Sequence, residues 1–308
     1  MRFNAITPFT RAAFRIMNAS GVLRVLNDES FCKLKYRMIT GEKLNLESPK
    51  SFNEKILWLM INDHNDFYTE LVDKYKVKKY IEEILGKEHV IPLVGGPWKS
   101  FDEINFNDLP NEFVLKTNNG SGSVLIVNDK NNFDIKYAKK TLDKAMKSNY
   151  YYSEREWPYK NVDPVIFAEK KFVDESGNQL KDYKVFTFSG EPKLIQVDFD
   201  RFNGHKRNLY DTKWNYINGA IQFPSHEEIT IKKPDCLEEM LEAARTLSND
   251  LPHVRVDFYV IGDMFYFGEL TFYHGSGIEK FTPKQLGVDM GSWINLPVKG
   301  ARVDEKND

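Results

Sequence analysis

Cysteine is almost missing from this chain, and the shortage excludes a good deal. Only Cys32 and Cys236 occur among 308 residues, far apart and without a C-x-x-C or histidine-rich neighbourhood. Such a pair indicates neither a disulfide framework nor a zinc site, and a reducing cytoplasm suits it. Long apolar runs are lacking as well. No stretch of ~18 uncharged apolar residues occurs, so no transmembrane helix is expected, and the start from Met1 to Pro8 has no signal-peptide core. Charge of one sign is not in excess either, since 43 Lys and Arg face 45 Asp and Glu without long single-sign blocks. A nucleic-acid or other polyanion partner is therefore not expected.

What is present is core-forming material. With 41% hydrophobic and 14% aromatic residues, a chain of this length fills a core and divides into two or three subdomains. Over residues 9–26, Phe14, Ile16, Met17, Val22 and Leu23 recur at helical spacing among Arg11, Arg15 and Arg24. This is an amphipathic helix with a break at Gly21, packed on the body of the protein or lying on a membrane surface. Ser51-Phe52-Asn53-Glu54 is a capping box that opens a helix through Leu57 and Met60. A helical pattern over 67–85 stops at Gly86, and 90–94 reads as a short strand.

The period changes after Glu112. Residues 113–116 and 124–127 are short β-rich runs joined by Thr117 to Ser123, a glycine-containing loop. A helix is expected over 134–148 and a strand over 165–173, ending near the turn residues Ser176 and Gly177. Runs 184–188 and 193–199 form a hairpin about Ser189-Gly190, and a helix covers 236–250. A second hairpin, 254–261 with 264–270, turns at Gly262-Asp263.

The chemistry-bearing residues cluster in these strands. The loop Asn119-Gly120-Ser121-Gly122-Ser123 can turn consecutive amides toward phosphate oxygens, although a plain hairpin turn is the simpler reading. It is neither a Walker loop nor a Rossmann turn, because it lacks G-x-x-x-x-G-K-[ST] and does not enter a helix. Lys116 closes the preceding strand, where an ammonium can neutralise phosphate while the loop covers a nucleotide. Asp257 and Glu269 stand five residues before and six after the Gly262-Asp263 turn, close enough to be cross-strand neighbours. Two facing carboxylates in an apolar sheet need a cation. Magnesium, completed by phosphate and water, is one answer; pairing of one acid with Arg255 or a surface lysine is the other.

Taken in order, Lys116, the glycine loop, Glu169, Arg255, Asp257 and Glu269 resemble the ATP-grasp superfamily over roughly residues 70–280. Val72-Asp73-Lys74-Tyr75 with Lys78-Lys79, and Ile91-Pro92, resemble the helix and strand that precede the grasp. Asp182-Tyr183-Lys184 and His205 to Leu209 resemble glutamate-adding ligases, with Lys206 on the strict arginine position and Arg207 one residue later. The TupA-like branch, associated with teichuronopeptide and capsular polysaccharide synthesis, is resembled most, through Ser51 to Trp58, Asp73 to Tyr75, Asp182 to Phe186 and Gly268 to Tyr273. Lys78 departs from an expected arginine, and Thr271 from the asparagine that many relatives use as a further metal ligand.

The resemblance implies an α+β ATP-grasp fold: a mostly helical N-terminal region (1–110), a small α+β lid subdomain (111–175) and a C-terminal antiparallel-sheet subdomain (176–308) carrying the metal site. It implies ATP as cofactor, with Lys116 and Lys184 on the phosphates and Gly120, Ser121, Gly122 and Ser123 as lid. Glu169 and the backbone of Lys171, Phe172 and Val173 would meet adenine and ribose. Asp257, Glu269 and Thr271 would hold one or two Mg2+, with Mn2+ as a substitute. Arg255, Arg207 and Lys184 would act catalytically, the guanidiniums clamping charge during phosphoryl transfer. Asn208 is either a positioning group or a turn residue, and His274 either a base for an amine or part of a Gly275 to Gly277 turn. Plainer readings pair Glu169 with Lys170 or Lys193, expose Lys184 to solvent and put Arg207 in a surface salt bridge.

The implied reaction activates a carboxylate as an acyl phosphate that an amine attacks, joining an amino acid to a sugar acid or amino sugar of a bacterial surface polysaccharide. The saccharide partner would be a small molecule or carried on a lipid or nucleotide. The expected place is the cytoplasm, at the inner face of the membrane if the N-terminal helix touches it. The aromatic segment Tyr150 to Tyr159 either stacks on sugar rings or packs a lid. Two rivals are a nucleotide-sugar glycosyltransferase using Asp198-Phe199-Asp200 as a metal-binding D-x-D, and a non-catalytic assembly protein.

Overall fold

The computed structural model describes residues 8–173, 180–199 and 204–298; the expected Ser176-Gly177 turn and Asp200 lie outside the described residues. Helices and antiparallel sheets follow one another as the change of period predicts. The helices are α1 (Pro8–Ala19), α2 (Asp28–Thr40), α3 (Phe52–Asn62), α4 (Phe67–Val72), α5 (Val77–Leu85), α6 (Ile135–Lys147), α7 (Tyr150–Glu154), α8 (Leu237–Leu247) and α9 (Lys284–Ser292). None is long and apolar enough to cross a membrane among the described residues. The strands are β1 (Leu93–Trp98), β2 (Phe113–Thr117), β3 (Val124–Val127), β4 (Ile166–Lys170), β5 (Asp182–Phe188), β6 (Glu191–Phe199), β7 (Lys206–Tyr210), β8 (Ala220–Ile221), β9 (His253–Ile261), β10 (Met264–Thr271) and β11 (Phe281–Thr282).

Local chemistry explains several boundaries. Gly21, at φ 80°, ends the first helical stretch as expected, and a short 3-10 turn, Val22–Val25, follows. Phe14 is buried, whereas Phe9 and Ile16 are exposed. At the start of α3 the Ser51 hydroxyl accepts from the Glu54 amide at 3.3 Å, and the Glu54 carboxylate accepts from the Ser51 amide at 3.0 Å, closing the capping box. The single helix expected over 67–85 is instead two. The buried Asp73 carboxylate takes the amides of Tyr75 and Lys76 at 2.9 and 3.0 Å, an Asx turn that stops α4 and restarts the chain as α5. The strand expected over 90–94 begins later, at Leu93, and that over 165–173 is shorter, ending at Lys170.

Two sheets carry the architecture. The smaller runs β1-β4-β2-β3 and the larger β10-β9-β5-β6-β7, every pairing antiparallel; β11 and β8 form a two-stranded ribbon. Phe113, Leu115, Ala168, Ala138 and Leu142 make a core between the small sheet and α6. A larger core holds Val185, Val197, Val256 and Phe258 of the big sheet together with α3 and α8. Cys32 and Cys236 are buried free thiols, and burial pushes Cys32 up to about 12.

Both predicted hairpins form. Ser189 (φ 50°) and Gly190 (φ 82°) take the left-handed conformation that a two-residue turn between β5 and β6 requires. Between β9 and β10 the register carries a bulge: Phe267 faces Phe258, yet Glu269, not Gly268, faces Asp257. A Cβ on Gly268 would lie 3.0 Å from the Asp257 carbonyl oxygen, so glycine suits the crowded position.

Candidate active site

The large sheet presents a polar face. Direct cross-strand pairing lines up Glu269, Asp257, Lys184 and Gln196 across β10, β9, β5 and β6. Strand periodicity then puts Thr271 and Arg255 on one side of this row and Asp182, Asp198 and Arg207 on the other. The bulge at Gly268 brings both β9–β10 carboxylates onto this face. Six of these ions are buried: Asp182, Lys184, Asp198, Arg207, Arg255 and Asp257.

Buried charges require partners, and here they have them. Lys184 Nζ donates to Asp257 Oδ2 at 2.6 Å and lies 3.4 Å from Asp182. Arg255 forks onto Asp257, Nε to Oδ1 at 2.6 Å and Nη2 to Oδ2 at 2.7 Å, and also donates to the Thr271 hydroxyl at 3.1 Å. Burial alone would lower the Lys184 ammonium, but Asp182 and Asp257 outweigh it and raise it. Arg255 is likewise raised against its burial, mainly by Asp257. Glu269, a third exposed, receives Lys74 Nζ at 2.8 Å. Burial would raise its carboxyl; Lys74, Lys184 and Arg255 hold it well below the usual range instead.

Lys74 comes from the break between α4 and α5, which touches both sheets. Asp73 accepts from Asn118 Nδ2 at 2.9 Å, and Asn118 follows β2 directly before the glycine loop. From α5, Lys78 reaches Glu169 Oε1 on β4, while Lys116 on β2 reaches Glu169 Oε2, each at 2.5 Å. Glu169 is thus a buried carboxylate shared by two lysines. Burial would raise it, but Lys116 and Lys78 hold it down; the Lys78 ammonium is itself lowered by burial despite that partner.

Seven of the predicted residues fall into two groups. Lys184, Arg255, Asp257, Glu269 and Thr271 converge on the large sheet, and Lys116 and Glu169 pair on the small one. The plainer pairing of an acid with Arg255 is the geometry found at Asp257, whereas the plainer readings of the others are corrected. Glu169 pairs with Lys78 and Lys116, not Lys170 or Lys193; Lys184 is enclosed; Arg207 is no surface ion, since it holds Asp198 at 2.6 and 3.2 Å and donates to the Ile221 carbonyl at 2.8 Å. Burial would raise the Asp198 carboxyl and Arg207 lowers it, so the first acid of the D-x-D pair is already taken.

In the loop, Ser121 and Gly122 are exposed and Gly120 half-buried, but the Ser123 hydroxyl turns inward to Thr117 at 2.5 Å and its side chain only braces the loop. Lys171 pairs with Glu112 at 2.7 Å, the Phe172 ring lies 4.7 Å from Tyr266, and Val173 is exposed. Asn208 is a structural tie that donates to the His226 carbonyl at 2.9 Å and accepts from the His226 amide at 2.8 Å. His274 is buried, 3.1 Å from Glu279, and burial beside Arg255 and Arg207 drives its imidazole far down. An imidazole held so far below its ordinary value takes up a proton poorly and makes a weak base. Trp157 donates to the Tyr273 hydroxyl at 2.8 Å and stacks on Tyr68.

Lys74, Lys78 and Asp182 enter the site from motifs that had signalled only resemblance. Glu279, half-buried near Arg207 at 3.9 Å, had no signal at all. A cavity of about 810 Å³ opens beside Tyr75, Lys76, Lys78, Pro92 and Leu93, without touching Lys116 or Lys184.

Asp257, Glu269 and Thr271 form a set of hard oxygen donors on one face and fit magnesium, which takes few protein oxygens and finishes its shell with phosphate and water. No group of three or more His, Cys, Asp or Glu that could hold a metal ion by itself is found among the described residues.

A glycine-loop hairpin on one antiparallel sheet, facing a lysine and carboxylate floor on another, is the arrangement of the ATP-grasp class. A sequence profile described as TupA-like ATPgrasp matches residues 54–295, and the chain belongs to that family. Curated proteins gave no match. Among solved structures, D-alanine-D-alanine ligase from Helicobacter pylori aligns at 15% identity with a TM-score of 0.41, over 80% of this chain and 70% of that one. The Bacillus anthracis D-alanine-D-alanine ligase complexed with ATP aligns at 18% identity and TM-score 0.37, over 66% and 55%. ATP-grasp ligase PsnB, complexed with minimal precursor, Mg and ADP, aligns at 8% and 0.36, over 92% and 74%.

Proposed function

We propose that this protein is an ATP- and magnesium-dependent carboxylate-amine ligase that releases ADP and phosphate, joining an amino acid to a sugar acid or amino sugar of a bacterial surface polysaccharide of capsular or teichuronopeptide type. The observation that carries the chemistry is the row Glu269, Asp257, Lys184 with Arg255 beside it. Magnesium bound at Asp257, Glu269 and Thr271, as one or two ions, would screen polyphosphate charge and polarise the γ-phosphoryl group. Lys116 and Lys184 neutralise phosphate oxygens, and Lys116 must share itself with Glu169 to do so. Arg255 holds its fork against Asp257 and offers a fixed positive charge where the acyl phosphate forms. Gly120 to Ser123 close over the nucleotide and keep water from the intermediate. The saccharide class rests on family membership. The exposed apolar side of α1, with Phe9 and Ile16, suits contact with the inner face of the membrane, where lipid-linked saccharides would be met.

The test is ADP release with ATP and magnesium, offering glycine, L-alanine, L-glutamate or glucosamine as amine and glucuronate or the amino acids as carboxylate. Release that depends on both partners in wild type and falls at least 100-fold in Asp257→Asn supports the reading. ATP left intact with every pair would refute it, and turnover of a nucleotide-sugar in its place would establish the glycosyltransferase.

A further inference from the structure

Between the glycine loop and the turn after β10 lies a buried carboxyl outside the nucleotide site. Glu156 follows α7 and is 6% exposed. One oxygen, Oε1, accepts from the Ser276 hydroxyl at 2.8 Å, and the other makes no hydrogen bond among the described residues. Ser276 sits in the turn that follows Thr271 and adopts φ 47°, an uncommon conformation for a non-glycine residue and one that clusters at functional sites. Tyr150 lies beside Ser276, its ring 5.1 Å from that of Tyr159. The Tyr150 side chain packs beside Gly120 of the lid, and Trp157 ties the segment to Tyr273. Tyr159 feels Lys74, Glu269 and Arg255 electrostatically. The segment therefore connects the lid to the reactive floor and carries one carboxyl with a free edge.

We infer that Glu156 is the base that deprotonates the acceptor amine, with Ser276 and Tyr150 orienting it, an assignment that rests on the ligase reading above. An amine arrives as an ammonium and attacks only after losing a proton. Glu156 takes that proton; the nitrogen lone pair forms the C–N bond, and the bond from carbonyl carbon to phosphate oxygen breaks, phosphate leaving with the electron pair and taking up the second N–H proton as the amide forms. Burial pushes the carboxyl up to about 7, with the Glu154 charge adding to it and Ser276, Lys35 and Lys74 opposing, and a base works best there at neutral pH.

Hydroxylamine separates the two half-reactions, because it is uncharged at neutral pH and traps an acyl phosphate without a base. Glu156→Gln is expected to keep hydroxamate formation within a few fold of wild type and to lose amide formation with the panel amine by on the order of 100-fold. Ser276→Ala, which keeps the carboxyl but removes the bond that lowers it, is expected to move the rising limb of kcat/KM to higher pH. An active wild type whose Glu156→Gln variant loses both reactions or neither, or an unmoved limb in Ser276→Ala, overturns the assignment alone. A wild type that uses no amine of the panel removes the ligase reading and this assignment with it.

Discussion

Replacing Glu169 with glutamine leaves the shape of the side chain and removes the charge that two lysines share. Each oxygen of Glu169 lies 2.5 Å from a different ammonium, and its side chain is only 5% exposed. In the variant one ammonium faces an amide NH2, donor against donor. Breaking a buried ion pair costs about 3–5 kcal/mol; Lys116, at 17% exposure, can regain some water, which argues for about 3 kcal/mol. A chain of this length loses roughly 2 °C of Tm per kcal/mol, so a drop of about 6 °C is expected in thermal melts at pH 7. The sign with pH follows from the depressed carboxyl. Its contribution is present above the unfolded value of about 4.3 and fades as pH falls through the lower folded value, so the gap between the two melts narrows toward low pH. Adding Lys78→Met to Glu169→Gln should recover part of the loss, since one unpaired cation disappears. A single variant melting within about 1 °C of wild type at pH 7 would show that both lysines are solvated and would refute the reasoning.

Other substitutions probe other parts of the molecule. Gly277 has φ 66°, and a Cβ there would lie 2.5 Å from Leu57 Cγ; Gly277→Ala should lower the urea midpoint by the equivalent of about 2–3 kcal/mol, and an unchanged midpoint would mean the turn re-forms elsewhere. Thr271→Asn adds a carbonyl oxygen beside Glu269 and is expected to tighten Mn2+ binding, read by paramagnetic relaxation; weaker binding would speak against Thr271 as a ligand position. Trp157→Ala should raise KM for the saccharide if the aromatic segment stacks on sugar, whereas an unchanged KM assigns Trp157 to packing against Tyr68 and Tyr273. Glu269→Gln should flatten the stability profile below about pH 4, because a carboxyl held low stabilises the fold above its unfolded value and stops doing so as it is protonated.

Much of this arrangement was legible because it depends on local rules. The capping box at Ser51 and the hairpin turns at Ser189-Gly190 and Gly262-Asp263 name their own geometry, and the second turn brings Asp257 and Glu269 near each other, although the bulge that sets them directly opposite is announced by no period. The break at Asp73 was missed because the apolar period runs across it; a buried carboxylate, satisfied by two amides and by Asn118 some 45 positions away, overrides that period. The pairing of Glu169 with Lys78 was also out of reach, since a helix and a strand meet there through tertiary packing. Glu279 and Glu156 carry no spacing at all, and the burial of Glu156 and the place of Glu279 near Arg207 are visible only when remote segments are assembled.

The bulge at Gly268 works like a reading frame. Were the ladder to run straight on past Phe267 without the bulge, the hairpin would keep its turn and most of its pairing, yet Glu269 would move opposite Val256 and point to the other side of the sheet. The proposed metal floor would be scrambled while the fold persisted. Substitutions along β10 are thus tolerated or not one side chain at a time, whereas a single-codon insertion between Phe267 and Glu269 would carry Glu269 past Asp257 and produce a well-folded protein that has lost its proposed cation site in one step.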